Sequence, residues 1–584
     1  MPTLPTAPTA ASRLRLEIDA PANLKALLER HLDVSRLAQL SDADAPDEVE
    51  IQRLLAATPA QVRELLKTEG YFEPNIVLQR TAGAQMRVRL RVEPGVRVRV
   101  RQVTVRIQGP LADRLAAADR EASALSAGMA SAGSLREGSP FRNPDWSQTK
   151  LAWLTRLQSA GYASATLIDS RAGVDVASAA AQLEAVLDSG PLFLAGPLQI
   201  EGLHHHASAT VQILAGFGPG RPLTESTLLD FQERLQRAGL FEAVTVTFDA
   251  RAEPAGATTV QVPVVVQLHE LPLQQATVGV GTSDASGPRA SVEHLHRRPF
   301  GWALTASHKL AWGRDVQRVS SDWLTHPGTG FTRYLLGLQM DRERSDTDSV
   351  RSARVRLGRT QDTPTIERLV FVEWLASRQS VGSITLNDAQ ALSANLHGVL
   401  RRLDNVLLPT RGFSLSMQLG AGQARSAQAE SGPFARLQAR LTGYLPLPGE
   451  WHAQARLEVG QVFKRAAVDV PDALGFRAGG DDSVRGYAHR SLAPQLQGHV
   501  VSGQVLLTAS AEVARPLSPN LPNVWGAVFV DAGRAAQSWG DYRAAVGYGV
   551  GVRWRSPIGP LRVDLAWGDE LQKARLHLTA GVTF

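Results

Sequence analysis

Toward its C-terminus the chain alternates apolar and polar positions with a period of two. In AVGYGVGVRWRS, from Ala545, the residues Val546, Tyr548, Val550, Val552 and Trp554 share one face, and Gly547, Gly549, Gly551, Arg553 and Arg555 share the other. Successive side chains of a strand point to opposite sides, so this is the pattern of a sheet whose two faces meet different surroundings. GPLRVDLAWG, from Gly559, sets Leu561, Val563, Leu565 and Trp567 against Arg562, Asp564 and Ala566. KARLHLTAGVTF, from Lys573, sets Leu576, Leu578, Ala580, Val582 and Phe584 against His577, Thr579, Gly581 and Thr583. From Gln275 to the end, such segments follow one another between turn residues with no helical period. They number about sixteen, an even count within the range of outer-membrane barrels. A soluble β-sandwich would alternate in the same way, but gives no reason for Trp and Tyr at strand ends.

Before Glu270 the period is different, and it repeats. LLKTEGYFEPNIVLQ from Leu65, RLQSAGYASATLIDS from Arg156 and RLQRAGLFEAVTVTF from Arg234 each read as the end of an amphipathic helix, a glycine, an aromatic or leucine, and an alternating strand. Gly70, Gly161 and Gly239 suit the position just past a helix, where a left-handed backbone costs a residue without Cβ little. A second alternating strand follows each one: MRVRLRVEP, AQLEAVLDSG and TVQVPVVVQLHE. With the strand and helices that precede them, for example VRVRQVTVRI and NPDWSQTKLAWLTRLQ, each repeat reads strand, helix, helix, strand, strand. At roughly 75 to 100 residues each is a plausible small domain.

Composition changes this picture in three places. There are no cysteines, which excludes disulfide staples, thiolate chemistry and cysteine-held metal. No apolar run is long enough for a helical membrane span, which leaves a barrel as the only spanning route. The net charge of +6 is dispersed along alternating segments, mostly as arginine, so no nucleic-acid partner is expected. The opening MPTLPTAPTAASR has neither the basic nor the apolar region of a signal peptide. Residues 1–12 are therefore expected to be a disordered leader or the start of an export-processed chain.

Within GFRAGGDDSVRGYAHRSLAP, from Gly475, stands the tetrapeptide Val484-Arg485-Gly486-Tyr487. Nearby are Phe529-Val530-Asp531-Ala532-Gly533, Ser510-Ala511-Glu512 ahead of Arg515-Pro516, Ser556 to Asp564, Asp404 ahead of Pro409-Thr410-Arg411-Gly412, and a terminal aromatic. With three repeats ahead of a barrel, these motifs make the chain resemble the outer-membrane assembly and secretion superfamily, in which periplasmic POTRA domains precede a sixteen-stranded barrel. Within it the chain looks most like the TamA family, the outer-membrane subunits of translocation and assembly modules. Three repeats fit that family better than the barrel-assembly proteins with five or the two-partner secretion transporters with two.

The resemblance implies a fold and a division of the chain. Three α+β POTRA-like β-α-α-β-β domains would cover 13–94, 95–190 and 191–270, and a transmembrane β-barrel 271–584, with an in-folded loop over 463–500. It implies that the loop joining the eleventh and twelfth strands folds back into the lumen, with Arg485 held against wall carboxylates for which Glu512 and Asp531 are the matching positions. A guanidinium fork suits such a site because it can serve two carboxylates in one plane. Gly486 lets the backbone approach the wall, and Tyr487 packs its ring there.

It also implies a function without catalysis: assembly or translocation of client outer-membrane proteins such as autotransporters, in the bacterial outer membrane, with the repeats in the periplasm. The expected partners are clients, outer-membrane lipid and a TamB-like protein anchored in the inner membrane. No cofactor and no enzyme activity are expected, since no phosphate-loop, zinc-protease or serine-hydrolase motif occurs. His204-His205-His206 reads as a solvated loop with at most adventitious metal affinity. The first and last strands would close the barrel at a seam weakened by glycines, with Gly279, Gly281, Gly581 and Phe584 as its residues. A seam that opens laterally would release clients into the bilayer. A translocator of a single exoprotein, of the two-partner type, and a passive channel stay open as alternatives.

Overall fold

In the computed structural model of the protein, the residues described are 14–38, 48–81, 86–251, 256–283, 287–344, 348–363, 365–405, 409–496, 498–518, 521, 523–556 and 559–583. The expected leader over 1–12 and the seam residue Phe584 lie outside them.

Three segments of mixed structure come first. The first is β1 (Leu14–Asp19), α1 (Ala22–His31), α2 (Asp33–Leu37), α3 (Glu48–Thr68), β2 (Asn75–Thr81) and β3 (Met86–Glu93). The second is β4 (Arg99–Gln108), α4 (Pro110–Ala116), α5 (Arg120–Ala132), α6 (Asn143–Ser159), β5 (Thr166–Asp175) and β6 (Ala180–Asp188). The third is β7 (Leu192–Glu201), α7 (Ser208–Ala215), α8 (Glu225–Arg237), β8 (Phe241–Phe248) and β9 (Thr259–Glu270). All three build the same sheet, in the orders β1-β3-β2, β4-β6-β5 and β7-β9-β8. The last strand takes the centre each time. The first two segments carry three helices instead of the expected two: a short helix is added, α2 ahead of α3 in the first and α4 ahead of α5 in the second.

The alternation places the core. In β3, Val88, Leu90 and Val92 are buried while the arginines between them stay in solvent, and in α6 Trp146, Trp153 and Leu157 line the buried stripe. Each such side chain contributes about 1.5–3 kcal/mol through burial. The glycines after the long helices end them as expected. Gly161 has φ 101°, and the N–H of Tyr162 reaches back to the carbonyl of Leu157 at 3.1 Å. They also have a second role. The carbonyl of Gly70 accepts the N–H of Val98 at 2.9 Å, and that of Gly161 accepts the N–H of Phe193 at 2.9 Å, so each helix end receives the start of the next segment. Gly239 follows suit with a side chain: its carbonyl accepts Nε of Arg297 at 3.0 Å.

The remaining strands are β10 (Gln274–Ser283), β11 (Gly287–His296), β12 (Leu304–Gly313), β13 (Val316–Thr325), β14 (Thr332–Arg344), β15 (Ser349–Asp362), β16 (Ile366–Val381), β17 (Ile384–Leu403), β18 (Gly412–Ser426), β19 (Gly432–Leu447) and β20 (Trp451–Lys464). A two-strand hairpin, β21 (Gln495–Leu496) and β22 (His499–Val500), precedes β23 (Val505–Pro516), β24 (Val524–Ala536), β25 (Ala545–Ser556), β26 (Gly559–Gly568) and β27 (Lys573–Thr583). All of these except β21 and β22 form one closed antiparallel transmembrane barrel of sixteen strands. Its outer face is apolar: Val278, Leu310, Leu338, Leu392, Leu441, Val530 and Leu565 are all exposed. Contacts divide the chain into two compact units. One is Met1–Gln199, Phe217–Asp230 and Val246–Val266, and the other is Ile200–Gly216, Phe231–Thr245 and Gln267–Phe584, so the third segment contributes to both.

Candidate functional site

The segment between β20 and β23, residues 465–504, turns into the barrel. Its apolar residues Val468, Val470, Leu474, Phe476, Ala478, Val484, Tyr487 and Leu492 are buried in one core with Leu375, Ala391, Ala424, Phe434, Val462, Leu506, Ala535 and Ala545 of the wall. Phe476 lies over a strand position that has no side chain. A Cβ on Gly460 would sit 2.5 Å from the Phe476 ring.

Arg485 is the centre of the segment, 6% exposed and surrounded by carboxylates. Its Nε and Nη2 donate to the two oxygens of Asp531 at 2.7 and 2.9 Å, and its backbone N–H donates to Asp531 at 3.1 Å. Nη1 donates to Glu512 at 2.9 Å and to Asp564 at 3.4 Å, and the guanidinium lies 3.4 Å from the centre of the Phe529 ring. Arg553 donates to Glu512 at 2.8 Å and also to Asp564. Two guanidinium groups thus sit among three carboxylates, each partner compensating a charge that burial would otherwise penalise.

Glycines let the loop backbone touch the wall. Gly486 has φ 93°, and a Cβ there would lie 2.8 Å from the backbone nitrogen of Gly568. A Cβ on Gly547 would lie 1.9 Å from the carbonyl oxygen of Arg485. The N–H of Gly486 donates to Nε2 of His577 on β27 at 2.9 Å, and Thr579 on the same strand donates to Asp481 at 2.8 Å. The hydroxyl of Tyr487 donates to the carbonyl of Val546 at 3.0 Å and accepts the N–H of Glu570 at 3.1 Å.

A second ionic group fixes the start of the loop. Arg477 joins Asp348 and Asp472, both at 2.9 Å, and Arg490 joins Asp472 and Glu343. Asn387 donates to Asp469 at 2.8 Å.

The motif residues Val484, Arg485, Gly486 and Tyr487 and the two carboxylates Glu512 and Asp531 therefore come together in space. Asp564, Arg553 and His577 belong to the same cluster. Alternation gives their face of the sheet, but not that this face meets the loop. Gly279, Gly281 and Gly581 lie at the closure, where β10 and β27 pair through Gly279↔Thr583, Val280↔Val582, Gly281↔Gly581 and Thr282↔Ala580. Among the described residues that is a shorter register than the ten pairs between β10 and β11.

Two turn sites complete the inventory. The Thr410 hydroxyl and the N–H groups of Arg411, Thr410 and Asn405 hold the Asp404 carboxyl well below the usual carboxylate range. The histidine run departs from the expected solvated loop. His205 is exposed and pairs with Glu270 at 2.7 Å, whereas His206 is buried with its ring 5.2 Å from that of His326. Burial first, and then the neighbouring His326, push His206 down to about 4. Burial would raise Glu270, but the N–H groups of His206 and His205 outweigh it and hold the carboxyl below its usual value. The acid beside the run, Glu270, comes from the end of β9.

Residues 301–584 match the family model described as the Omp85 superfamily domain. The chain is 35% identical over 118 residues to outer envelope protein 80, chloroplastic, of Arabidopsis thaliana, a match covering 18% of this chain and 14% of that protein. It is 26% identical over 231 residues to outer envelope protein 39, chloroplastic, of the same plant, covering 35% of this chain and 60% of that protein. The matches thus span less than two thirds of either relative's length. Among solved structures, the fold is similar to that of BamA from Haemophilus ducreyi lacking POTRA domains 1-3, with a TM-score of 0.66, 18% identity, and coverage of 84% of this chain and 100% of that one. CdiB from Acinetobacter baumannii aligns with a TM-score of 0.48 at 14% identity over 94% of this chain and 100% of that one.

Proposed function

We propose that this chain, whose barrel carries an Omp85 superfamily domain, inserts or secretes client β-barrel proteins at the outer membrane, with its three β-α segments in the periplasm. The observation that supports this best is the tie between the buried loop and the closing strand. Arg485 is anchored on β23, β24 and β26, and the next residue, Gly486, is bonded to His577 on β27. Loop position and seam are therefore joined by hydrogen bonds of the loop with His577 and Thr579 of β27. A seam of short register beside a loop that can hold or release its last strand is suited to lateral opening, which presents strand edges to an incoming strand. No nucleotide or metal chemistry is invoked.

Within that class we infer a TamA-like role. The clients would include autotransporters, and the partner would be a TamB-like protein anchored in the inner membrane that meets the periplasmic segments. Three α-β segments ahead of the barrel support this role over a passive channel, which has no use for them.

The test is a disulfide across the seam. The chain has no cysteine, so Gly281→Cys with Gly581→Cys introduces the only pair. In liposomes holding the full chain, oxidation is expected to stop folding of an added autotransporter barrel, and reduction to restore it. Unchanged client assembly with the bond fully formed would exclude lateral opening. A pull-down from bacterial membranes on the full chain tests the partner, and recovery of no long inner-membrane-anchored protein would remove the TamA-like role.

A further inference from the structure

The outer wall of β10–β13 carries a polar cluster that neither the loop nor the seam uses. Val278 and Val280 of β10, Val292 of β11, Leu310 and Trp312 of β12 and Val319 of β13 are exposed and face lipid. By strand alternation and register, Gln274, His294, His296, His308, Ser321 and Trp323 lie on the same face, nearer the end at which the chain enters the barrel. Polar groups on a lipid-facing wall are costly unless something satisfies them.

The hydrogen bonds fix what these histidines can offer. The Trp323 indole can only donate, and it does so to Oγ of Ser321 at 2.8 Å. The same oxygen lies 3.0 Å from Nδ1 of His308. Nδ1 of His296 accepts the backbone N–H of Arg298 at 3.1 Å, which leaves the proton of the neutral ring on Nε2. His294 lies between them, stacked 6.0 Å from His308, 6.4 Å from His296, and bonded to Gln274 at 3.3 Å. The Nε2–H donor of His296 therefore meets no partner among the described residues.

The adjoining turn is built for a membrane interface. Phe300 holds a left-handed φ of 54°, unfavourable for a bulky residue, and is 79% exposed. Its ring lies parallel to Trp323 at 6.3 Å, Trp302 beside it is 62% exposed, and Arg298 adds a cation. Aromatic residues of this kind sit at headgroup level.

Resting on the reading of residues 274–583 as a membrane barrel, we propose that this patch binds the headgroup of a phospholipid, at the edge of the barrel beside its first strand. Phosphate and ester carbonyl oxygens only accept hydrogen bonds, which matches the free His296 donor and a cation, and the exposed aromatics seat the glycerol region. The ligand would be a phospholipid of the leaflet at the entry end of the barrel, held next to the strand that closes the seam.

The test uses the full chain in detergent, with native mass spectrometry reading retention of added phosphatidylglycerol against diacylglycerol, which lacks the phosphate. The wild type is expected to retain phosphatidylglycerol preferentially. The double variant His296→Leu/His308→Leu, which suits a lipid-facing wall and leaves the lumen untouched, is expected to lose about tenfold of that retention. His296→Gln, which keeps a side-chain N–H, is expected to recover part of what His296→Leu loses. Equal retention in the double variant would mean a wet interface only and overturn the proposal. An equal loss of diacylglycerol would mean plain apolar contact and overturn it too. A chain that stays soluble without detergent would sink the barrel reading first, an outcome distinguishable from both.

Discussion

The backbone N–H of Gly486, at the tip of the buried loop, donates to Nε2 of His577 in the last barrel strand at 2.9 Å. A protonated ring has no acceptor to give, so this bond requires a neutral His577 with its hydrogen on Nδ1. His577→Leu removes the acceptor and strands a buried donor, at a cost of roughly 1–3 kcal/mol in loop docking. Proteolysis within 475–494 is expected to speed up in micelles, with His577→Gln intermediate. Cleavage at the wild-type rate in His577→Leu would show that the bond does not hold the loop.

Arg485→Ala leaves Asp531, which is 1% exposed, without its guanidinium, a loss of about 3–5 kcal/mol for a buried pair. The barrel's strand pairings do not depend on it, so heat-modifiable mobility on gels is expected to persist while the loop becomes accessible. Arg485→Lys cannot fork and is expected to recover only part. In double-mutant cycles, coupling to Asp531 is expected to exceed coupling to Glu512, because Glu512 keeps Arg553 at 2.8 Å. Additive behaviour in both cycles would dissociate the loop from these carboxylates.

Gly547→Ala places a Cβ 1.9 Å from the Arg485 carbonyl oxygen, a backbone atom that cannot swing aside as a side chain would. The loop has to move. The expected outcome is a folded barrel with loop access close to that of Arg485→Ala, whereas Gly443→Ala, where a Cβ meets open space, is expected to change nothing. Equal protease resistance of both variants would contradict the close packing of loop on wall.

His206 gives a pH dependence with a defined sign. Its folded value, about 4, lies below the ordinary 6.5, so the unfolded chain takes up the proton first. The stability that neutral His206 contributes is full above about pH 6.5 and is lost as pH falls toward 4. Carboxylates titrate in the same window, so the measurement is the difference between the wild type and His206→Phe. The melting temperature of the wild type is expected to fall more steeply between pH 6.5 and 4, and parallel curves would exclude the contribution.

The elements were legible wherever a period was clean. Alternation in β25, β26 and β27 predicted both faces of those strands, and the helix-glycine-aromatic junctions marked all three segments. The extra helices α2 and α4 escaped because five to seven residues are too few to show a helical period. Arg553, Asp564 and His577 were legible as lumen-facing but not as partners of Arg485. Which wall residues meet a loop depends on barrel closure, which brings residues 79 and 91 positions apart within bonding distance. His206 was misjudged for a similar reason, since His326 and Glu270 reach it from other strands and turns. The carbonyls of Gly70, Gly161 and Gly239 were invisible, because backbone acceptors leave no mark on side-chain patterns.

The apolar mass that the loop lays against the walls of β16 to β25 also has an electrical meaning. A hydrated ion cannot shed its water into a core lined by Phe434, Phe476, Val484 and Leu492, so this side of the lumen acts as an insulator. In a planar bilayer the resting protein is then expected to carry less current than Gly547→Ala, which by lifting the loop would turn its displacement into a measurable rise in conductance. Voltage-clamp recordings would time each departure of the loop one molecule at a time, and a wild-type barrel conducting as freely as Gly547→Ala would rule that insulation out.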